Sequence, residues 1–308
     1  MRACVDIGGT KVSVSLNPGG GSHDLLARRS EPTAKVGEPS VLAQQVVRLV
    51  DEACRDLGIA PEDVRAAGVC APGPFVLESG AFALASPNLC GGLAGTRNTL
   101  GNDWRSVPLQ APLSARFPEL RIENDAVAAL EAERRWGALQ GLDHCAYVTW
   151  STGVGCGLCV GGRILRGKQG NAGHFGHIFV SDDDSAVCGC GNVGDLEALA
   201  GGHSIERRLG MPAATLLASA EAGDALARRR VDDLCRVMGR GLYDLVALLD
   251  LQRISLGGSV FSHHQAMLLP RLQAQLQGRL PALTGRCDIV PAGLGERVGD
   301  YAALALLD

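Results

Sequence analysis

Asp6-Ile7-Gly8-Gly9-Thr10-Lys11 gathers in one short run the parts needed to hold a phosphate chain. Gly8 and Gly9 let the main chain turn sharply and leave its N–H groups open to phosphate oxygens. Thr10 offers a hydroxyl and Lys11 a positive charge, while Asp6, ending a strand, can hold a magnesium ion directly or through water. A lone Gly-Gly turn reads more simply as a tight hairpin. Here a second turn of like character, Ser151-Thr152-Gly153-Val154-Gly155, lies in the other half of the chain, with Thr152 and Gly153 as its phosphate-facing residues. A third element, Leu256-Gly257-Gly258-Ser259-Val260, follows a strand and precedes a helix; read with the two loops, Gly257 and Gly258 suit the adenine and ribose end of a nucleotide. Neither G-x-x-x-x-G-K-[ST] nor a strand-to-helix G-x-G-x-x-G occurs, which sets aside the Walker loop and the dinucleotide fingerprint.

Between the two loops, Glu123-Asn124-Asp125 follows a short strand and opens an Ala-rich helix. An acceptor hydroxyl is a poor nucleophile until it loses its proton, and a carboxylate within hydrogen-bond reach can take it. The helix dipole is expected to keep Asp125 ionised. Plain helix capping uses the same residue type, but the position between two phosphate loops makes Asp125 the candidate general base. Asn124, in the same turn, can bind an acceptor hydroxyl.

These side chains need a framework. Residues 2–7 and 11–16 read as strands joined by Gly8-Gly9-Thr10, with a third strand over 24–30. Apolar residues recur at helical spacing over 39–57, and Gly58 suits a C-cap. A strand over 65–70 ends at Ala71-Pro72-Gly73-Pro74; 86–104 read as loop, 106–117 as helix, 120–123 as a short strand and 125–136 as helix. The second half opens on another strand–turn–strand over 144–160, so the halves read as repeats of one unit. Residues 167–197, rich in Gly, His and Cys, form a long loop of the kind that carries function. Helices fill 203–250, a strand over 252–256 meets Gly257, and helices over 262–279 and 293–307 close the chain.

The 308 residues suit two domains, at roughly 150 residues each. The formal net charge of -4 offers no footprint for nucleic acid or an anionic membrane. No signal-peptide core and no apolar run of about 20 residues is present, so neither export nor a membrane span is expected. Cysteines such as Cys4, Cys70, Cys145, Cys156 and Cys159 lie in apolar runs, as in a reducing cytoplasm, and not in a disulfide framework.

The order DIGGTK, GVCAPGP, SPN, ENDAVAALEAE, STGVGCG, GNAGHFGH, CGCGNVGDLE, LGGSV resembles the ROK family (repressors, open reading frames and kinases) over nearly the whole chain. The resemblance implies an α/β fold of the two-lobed actin-like ATPase type, built from ribonuclease H-like repeats, with a sugar and ATP in a cleft between lobes. The lobes would be 1–120, completed by the C-terminal helix 293–308, and 121–292. It implies an ATP-dependent sugar kinase using magnesium, often a homodimer, with Asp125 activating a hexose hydroxyl, usually the 6-hydroxyl. Gly73, Asn88, Asn124, His174, His177 and Glu197 fall where the family lines its sugar pocket.

Two departures stand out. Kinases of the family carry Glu-x-Gly-His where this chain has His174-Phe175-Gly176-His177, which exchanges an acceptor-only anion for a donor and acceptor near carbons 2 and 3 of the sugar. The family's zinc motif retains His177, Cys188 and Cys190, but its third Cys position is Asp195. Asp can ligate zinc, so these four form a candidate structural zinc site; the alternative is that zinc is lost and the cysteines are loop residues. The expected acceptor is glucose or a modified glucose such as a 3-amino sugar, with an N-acetylhexosamine or fructose as alternatives. Two rivals are weaker: a non-catalytic sugar sensor, against which Asp6, Lys11, Thr152 and Asp125 argue, and a repressor, for whose DNA-binding domain no room is expected before Asp6.

Overall fold

The computed structural model describes residues 1–93 and 99–308; the loop 89–103, expected as a lid or interface, therefore lies partly outside the described residues. The chain divides into two compact units. The first comprises Met1–Ala132, Arg166–Asn171 and Gly299–Asp308; the second comprises Glu133–Leu165 and Ala172–Val298.

In chain order, the elements to the middle of the sequence are β1 (Arg2–Ile7), β2 (Lys11–Asn17), β3 (Leu26–Pro32), α1 (Val41–Leu57), β4 (Ala66–Ala71), β5 (Phe75–Glu78), β6 (Ala81–Leu84), β7 (Val107–Pro108), α2 (Gln110–Arg116), β8 (Glu119–Asn124) and α3 (Asp125–Trp136). They form a five-stranded sheet of order β3-β2-β1-β4-β8 and a small sheet β5-β6-β7. β1 and β4 are buried along nearly their whole length, which is why both read as continuous apolar runs and not as alternating ones. β3 alternates and carries Arg28, Arg29 and Glu31, a charged pattern that protects an edge strand. Helix α1 buries Leu42, Val46, Leu49, Val50 and Ala53, and ends at Gly58 with φ 66°, whose N–H donates to the Arg55 carbonyl. The expected helix over 106–117 is split instead: Val107 and Pro108 pair with Leu84 and Ala83, and only Gln110–Arg116 is helical. Pro108 disfavours helical backbone at the residue before it, so Val107 extends.

The following elements are β9 (Cys145–Trp150), β10 (Val154–Val160), β11 (Arg163–Ile164), α4 (Leu196–Ala200), α5 (Gly202–Leu209), α6 (Ala213–Glu221), α7 (Ala225–Leu249), β12 (Arg253–Gly257), α8 (Ser259–Ser262), α9 (Gln265–Leu276), α10 (Pro281–Thr284), β13 (Asp288–Pro291) and α11 (Val298–Ala305). The sheet order of the second unit is β11-β10-β9-β12-β13, with the same sequence of antiparallel and parallel neighbours as the first. Its core centres on Trp150, Phe175, Met238 and Phe261. Residues Gly299–Asp308 of α11 and beyond belong to the first unit: a methyl on Gly68 of β4 would collide with the Ala303 carbonyl, and Arg2 pairs with Asp308 at 2.5 Å. No helix among the described residues is long and apolar enough to cross a membrane.

Candidate active site

In the first unit, β1, β4 and β8 run parallel, with Asp6 opposite Cys70 and Cys70 opposite Glu123. Their carboxyl ends thus bring Asp6, the turn leading to Gly73, and Asn124-Asp125 to one edge of the sheet. This is the edge at which open α/β sheets receive ligands. The DIGGTK hairpin is closed by the Gly8 N–H donating to the Lys11 carbonyl at 2.8 Å, and Thr33 Oγ1 donates to the Gly8 carbonyl at 2.7 Å. A Cβ on Gly9 would lie 3.3 Å from Asn88 Cβ, so Asn88 stands directly against the loop tip.

Asp125 is open to solvent, yet protein surrounds it densely enough that burial raises its pKa. The N–H of Ala126, 2.7 Å from its Oδ1, and a hydrogen bond from the Asn124 side chain oppose that rise. The helix amides act in the direction expected of the helix N-terminus, while desolvation is the larger influence and raises the pKa. Asn124 Oδ1 accepts from Ala126 N–H at 3.0 Å, so helix capping is shared with Asn124. Half-buried Asp6 is pushed up to about 6, first by burial and then by the charge of Asp125, with Lys11 pulling the other way. Asp125 thus raises the proton affinity of Asp6, and a carboxylate burdened in this way by a second one suits a nearby hard cation.

In the second unit, the Ser151-Thr152-Gly153 loop is fixed at the start of α5. The Ser151 carbonyl accepts from Gly202 N–H at 2.8 Å and the Thr152 carbonyl from His203 N–H at 3.0 Å. Glu197 Oε2 accepts from Val154 N–H at 2.8 Å, and a methyl on Gly153 would strike that carboxylate. Glu197 is thus tied to the second loop, a link that its place in the sequence does not announce. The β12–α8 turn needs Gly258 at φ 88°, where a Cβ would sit 2.5 Å from Trp150 backbone.

His174 and His177 face each other with ring centroids 6.0 Å apart. Burial and the neighbouring His177 lower the pKa of His174, so its ring is neutral near pH 7 and can both donate and accept. The candidate metal ligands do converge: one atom each of His177, Cys188, Cys190 and Asp195 lies within 4.8 Å of the others. His177 Nδ1 is 3.0 Å from Asp195 Oδ2 and 3.6 Å from Cys190 Sγ, and Cys190 Sγ is 3.9 Å from Asp195 Oδ2. Tetrahedral zinc with bonds of about 2.0–2.3 Å separates its ligands by roughly 3.3–3.8 Å; the separations here, which include 4.0 Å from Cys188 Sγ to His177 Nδ1, lie on both sides of that range, and the donor types suit the ion. Asp195 Oδ1 caps α4 by accepting from Ala198 N–H at 2.7 Å, which orients the carboxylate.

One buried acid has no counterpart in the sequence reading. Glu133, fully buried, accepts from Ala138 N–H, Ser255 Oγ, Gly293 N–H and Leu294 N–H at 2.8, 3.1, 2.9 and 2.8 Å. Its four donors satisfy the carboxylate and join the end of α3 to β12 and to the chain before α11.

Two sheets of one topology, each with a Gly-containing hairpin loop at its first turn and with carboxylates at the strand ends of the first, define the two-lobed actin-like ATPase fold. Residues 2–308 match the ROK family, and the chain belongs to that family. It is a sugar kinase of the family. A glucokinase of Aeropyrum pernix is 30% identical over 98% of this chain and 95% of its own length. An N-acetylmannosamine kinase of Shigella boydii is 33% identical over 83% of this chain and 82% of its own. Among solved structures, a ROK hexokinase from Thermus thermophilus has a TM-score of 0.75 at 30% identity, covering 99% of this chain and 97% of the other. A ROK glucokinase from Streptomyces griseus in complex with glucose and AMPPNP has a TM-score of 0.73 at 28% identity, covering 98% of this chain and 97% of the other.

Proposed function

We propose that this enzyme transfers the γ-phosphoryl group of ATP to the 6-hydroxyl of glucose or of a glucose modified by an amino or deoxy group, acting as a cytoplasmic homodimer. The observation that supports the mechanism is the placement of Asp6 and Asp125 at the carboxyl ends of β1 and β8, on either side of β4 and beside the DIGGTK loop, close enough for the charge of Asp125 to act on Asp6. The sugar lies against Gly73, Asn88, Asn124, His174, His177 and Glu197. Asp125 accepts the hydroxyl proton as that oxygen attacks the γ-phosphorus; the bond to the bridging oxygen breaks and ADP leaves. Gly8, Gly9, Thr10 and Lys11 hold the phosphates with Thr152 and Gly153, and Gly257 and Gly258 hold the nucleoside end. A magnesium ion at Asp6 would neutralise charge on the phosphate oxygens. Zinc at His177, Cys188, Cys190 and Asp195 would be structural, fixing the loop that presents His174 and His177.

A second acceptor reading, an N-acetylhexosamine, is favoured by the N-acetylmannosamine kinase relatives and by the neutral ring of His174, which can donate to an acetamido carbonyl. Sugar-dependent ADP release across glucose, mannose, fructose, glucosamine, N-acetylglucosamine, N-acetylmannosamine and 3-amino-3-deoxyglucose decides between them. A kcat/KM for an N-acetylhexosamine at least about tenfold above that for glucose, a difference of about 1.4 kcal/mol in transition-state binding, establishes the second reading. His174→Glu is expected to move preference toward glucose. No turnover with any of the sugars rejects both.

The raised pKa of Asp6 has a pH consequence. Below about 6 the carboxyl takes up a proton and loses the charge that holds a cation. Magnesium affinity, measured by calorimetry, should fall by roughly tenfold per pH unit below that point and be flat above it. An affinity unchanged down to about pH 5 removes Asp6 from the cation site.

A further inference from the structure

The segment Arg166–Asn171 follows β11 in sequence but belongs to the first unit, where it is fastened at both ends. At its far end Asn171 imitates a strand partner: its Oδ1 accepts from Phe75 N–H at 2.7 Å and its Nδ2 donates to the Phe75 carbonyl at 2.8 Å. At its near end Arg166 Nε donates to Glu123 Oε2 at 2.5 Å, and Arg166 Nη2 lies 3.6 Å from Glu131 Oε2. The Glu123 side chain is only 7% exposed, whereas that of Arg166 is 49% exposed.

Glu123 sits two residues before the expected base. Its Oε1 also accepts the N–H of Asn124 at 3.2 Å, so the position of this carboxylate is passed directly to the next peptide. Asn124 in turn caps Ala126 and bonds the Asp125 side chain. We propose that Arg166 is a positioning residue for phosphoryl transfer, holding buried Glu123 and through it the turn that aims Asp125. The inference rests on the reading of Asp125 as the base. Burial pushes the Glu123 carboxyl up and Arg166 opposes that push, as the geometry requires. A buried carboxylate deprived of its cation must move toward water or take up a proton, and either response displaces Asn124.

The test compares Arg166→Met, Glu123→Gln and the double variant with the parent enzyme. Arg166→Met should lower kcat about tenfold or more, since small misplacements of a reacting group are costly, while KM for ATP stays within twofold. The double variant should recover most of kcat, because a neutral amide at 123 needs no cation. Hydrogen exchange of the 124–127 amides gives a readout independent of turnover: it should rise about tenfold or more in Arg166→Met and return toward the parent in the double variant. If Arg166→Met does not fold, Arg166→Lys, which keeps the charge but loses the Nε donor, is read by the same criteria. Unchanged exchange, a kcat within twofold of the parent, or a loss that the double variant does not recover overturns the inference. Failure of the underlying reading shows separately, as an Asp125→Asn enzyme that still turns over.

Discussion

Asp125→Asn is expected to lower kcat by about three orders of magnitude with sugar affinity changed by no more than a few-fold. A positioned general base contributes roughly 10²–10⁴; Asn keeps the size and the hydrogen bond from Ala126 N–H but cannot take a proton. The raised pKa of Asp125 works in the same direction, because a carboxylate nearer the operating pH is a better base than one held at the usual carboxylate value. It also sets the sign of the pH profile. As pH falls through the Asp125 pKa the protonated acid can no longer accept, so kcat/KM drops on the acid side, starting above the ordinary carboxylate range. The substitution removes a negative charge beside Asp6 as well, so Asp6 should titrate lower in the variant. Coupled-assay kinetics and calorimetric sugar binding check both parts. A variant within tenfold of the parent kcat would take Asp125 out of the chemistry.

What could be read from the sequence was local. DIGGTK predicts its own hairpin because Gly-Gly, a strand on each side and β-branched Val12 all point one way, and β1 and β2 pair from Ile7–Val12 through Arg2–Asn17. The second strand–turn–strand predicts the repeat, and the two sheets share one order of neighbours. The short hairpin β5–β6 escaped notice although its turn is signalled: Ser79 at φ 50° and Gly80 at φ 81° are the positive-φ pair that a tight hairpin uses. β13 escaped because a short edge strand carries too few residues for a pattern. Glu133 and Arg166 escaped for a different reason. An acid inside an Ala-rich helix looks like a solvated face, and an Arg after a strand looks like a surface charge. Their partners lie 160 residues away at Gly293 and 43 away at Glu123. No local rule connects positions so far apart. The candidate metal site stands between these cases: its residue types were visible, while their convergence depends on the fold of a long loop.

Asp195→Ala is expected to cost the second unit roughly 2–4 kcal/mol, because one fully buried carboxylate does two structural tasks at once. As the N-cap of α4 it accepts from Ala198 N–H, a contact worth about 1 kcal/mol. Through Oδ2 it holds His177, whose ring it drives with Cys190 up to about 10. Removing one partner of a buried pair costs several kcal/mol, reduced here because the His177 side chain is 31% exposed. A fall in melting temperature of roughly 5–10 °C follows for a unit of this size. If zinc is bound, its content should drop from one per chain toward zero, and chelation of the parent should reproduce the fall. Asp195→Asn separates the tasks: Asn caps a helix about as well as Asp but is a poor zinc ligand, so metal should be lost with less cost in melting. KM for the sugar should rise more than KM for ATP in both variants, since His177 loses its anchor while Glu197 still holds the second loop through Val154. Unchanged metal content and melting in Asp195→Ala would mean that this carboxylate neither ligates nor stabilises. The loop would then owe its order to its other contacts, among them Phe175 and Leu196 against Gly241 of α7 and the Val180 carbonyl accepting from Arg240 at 2.9 Å.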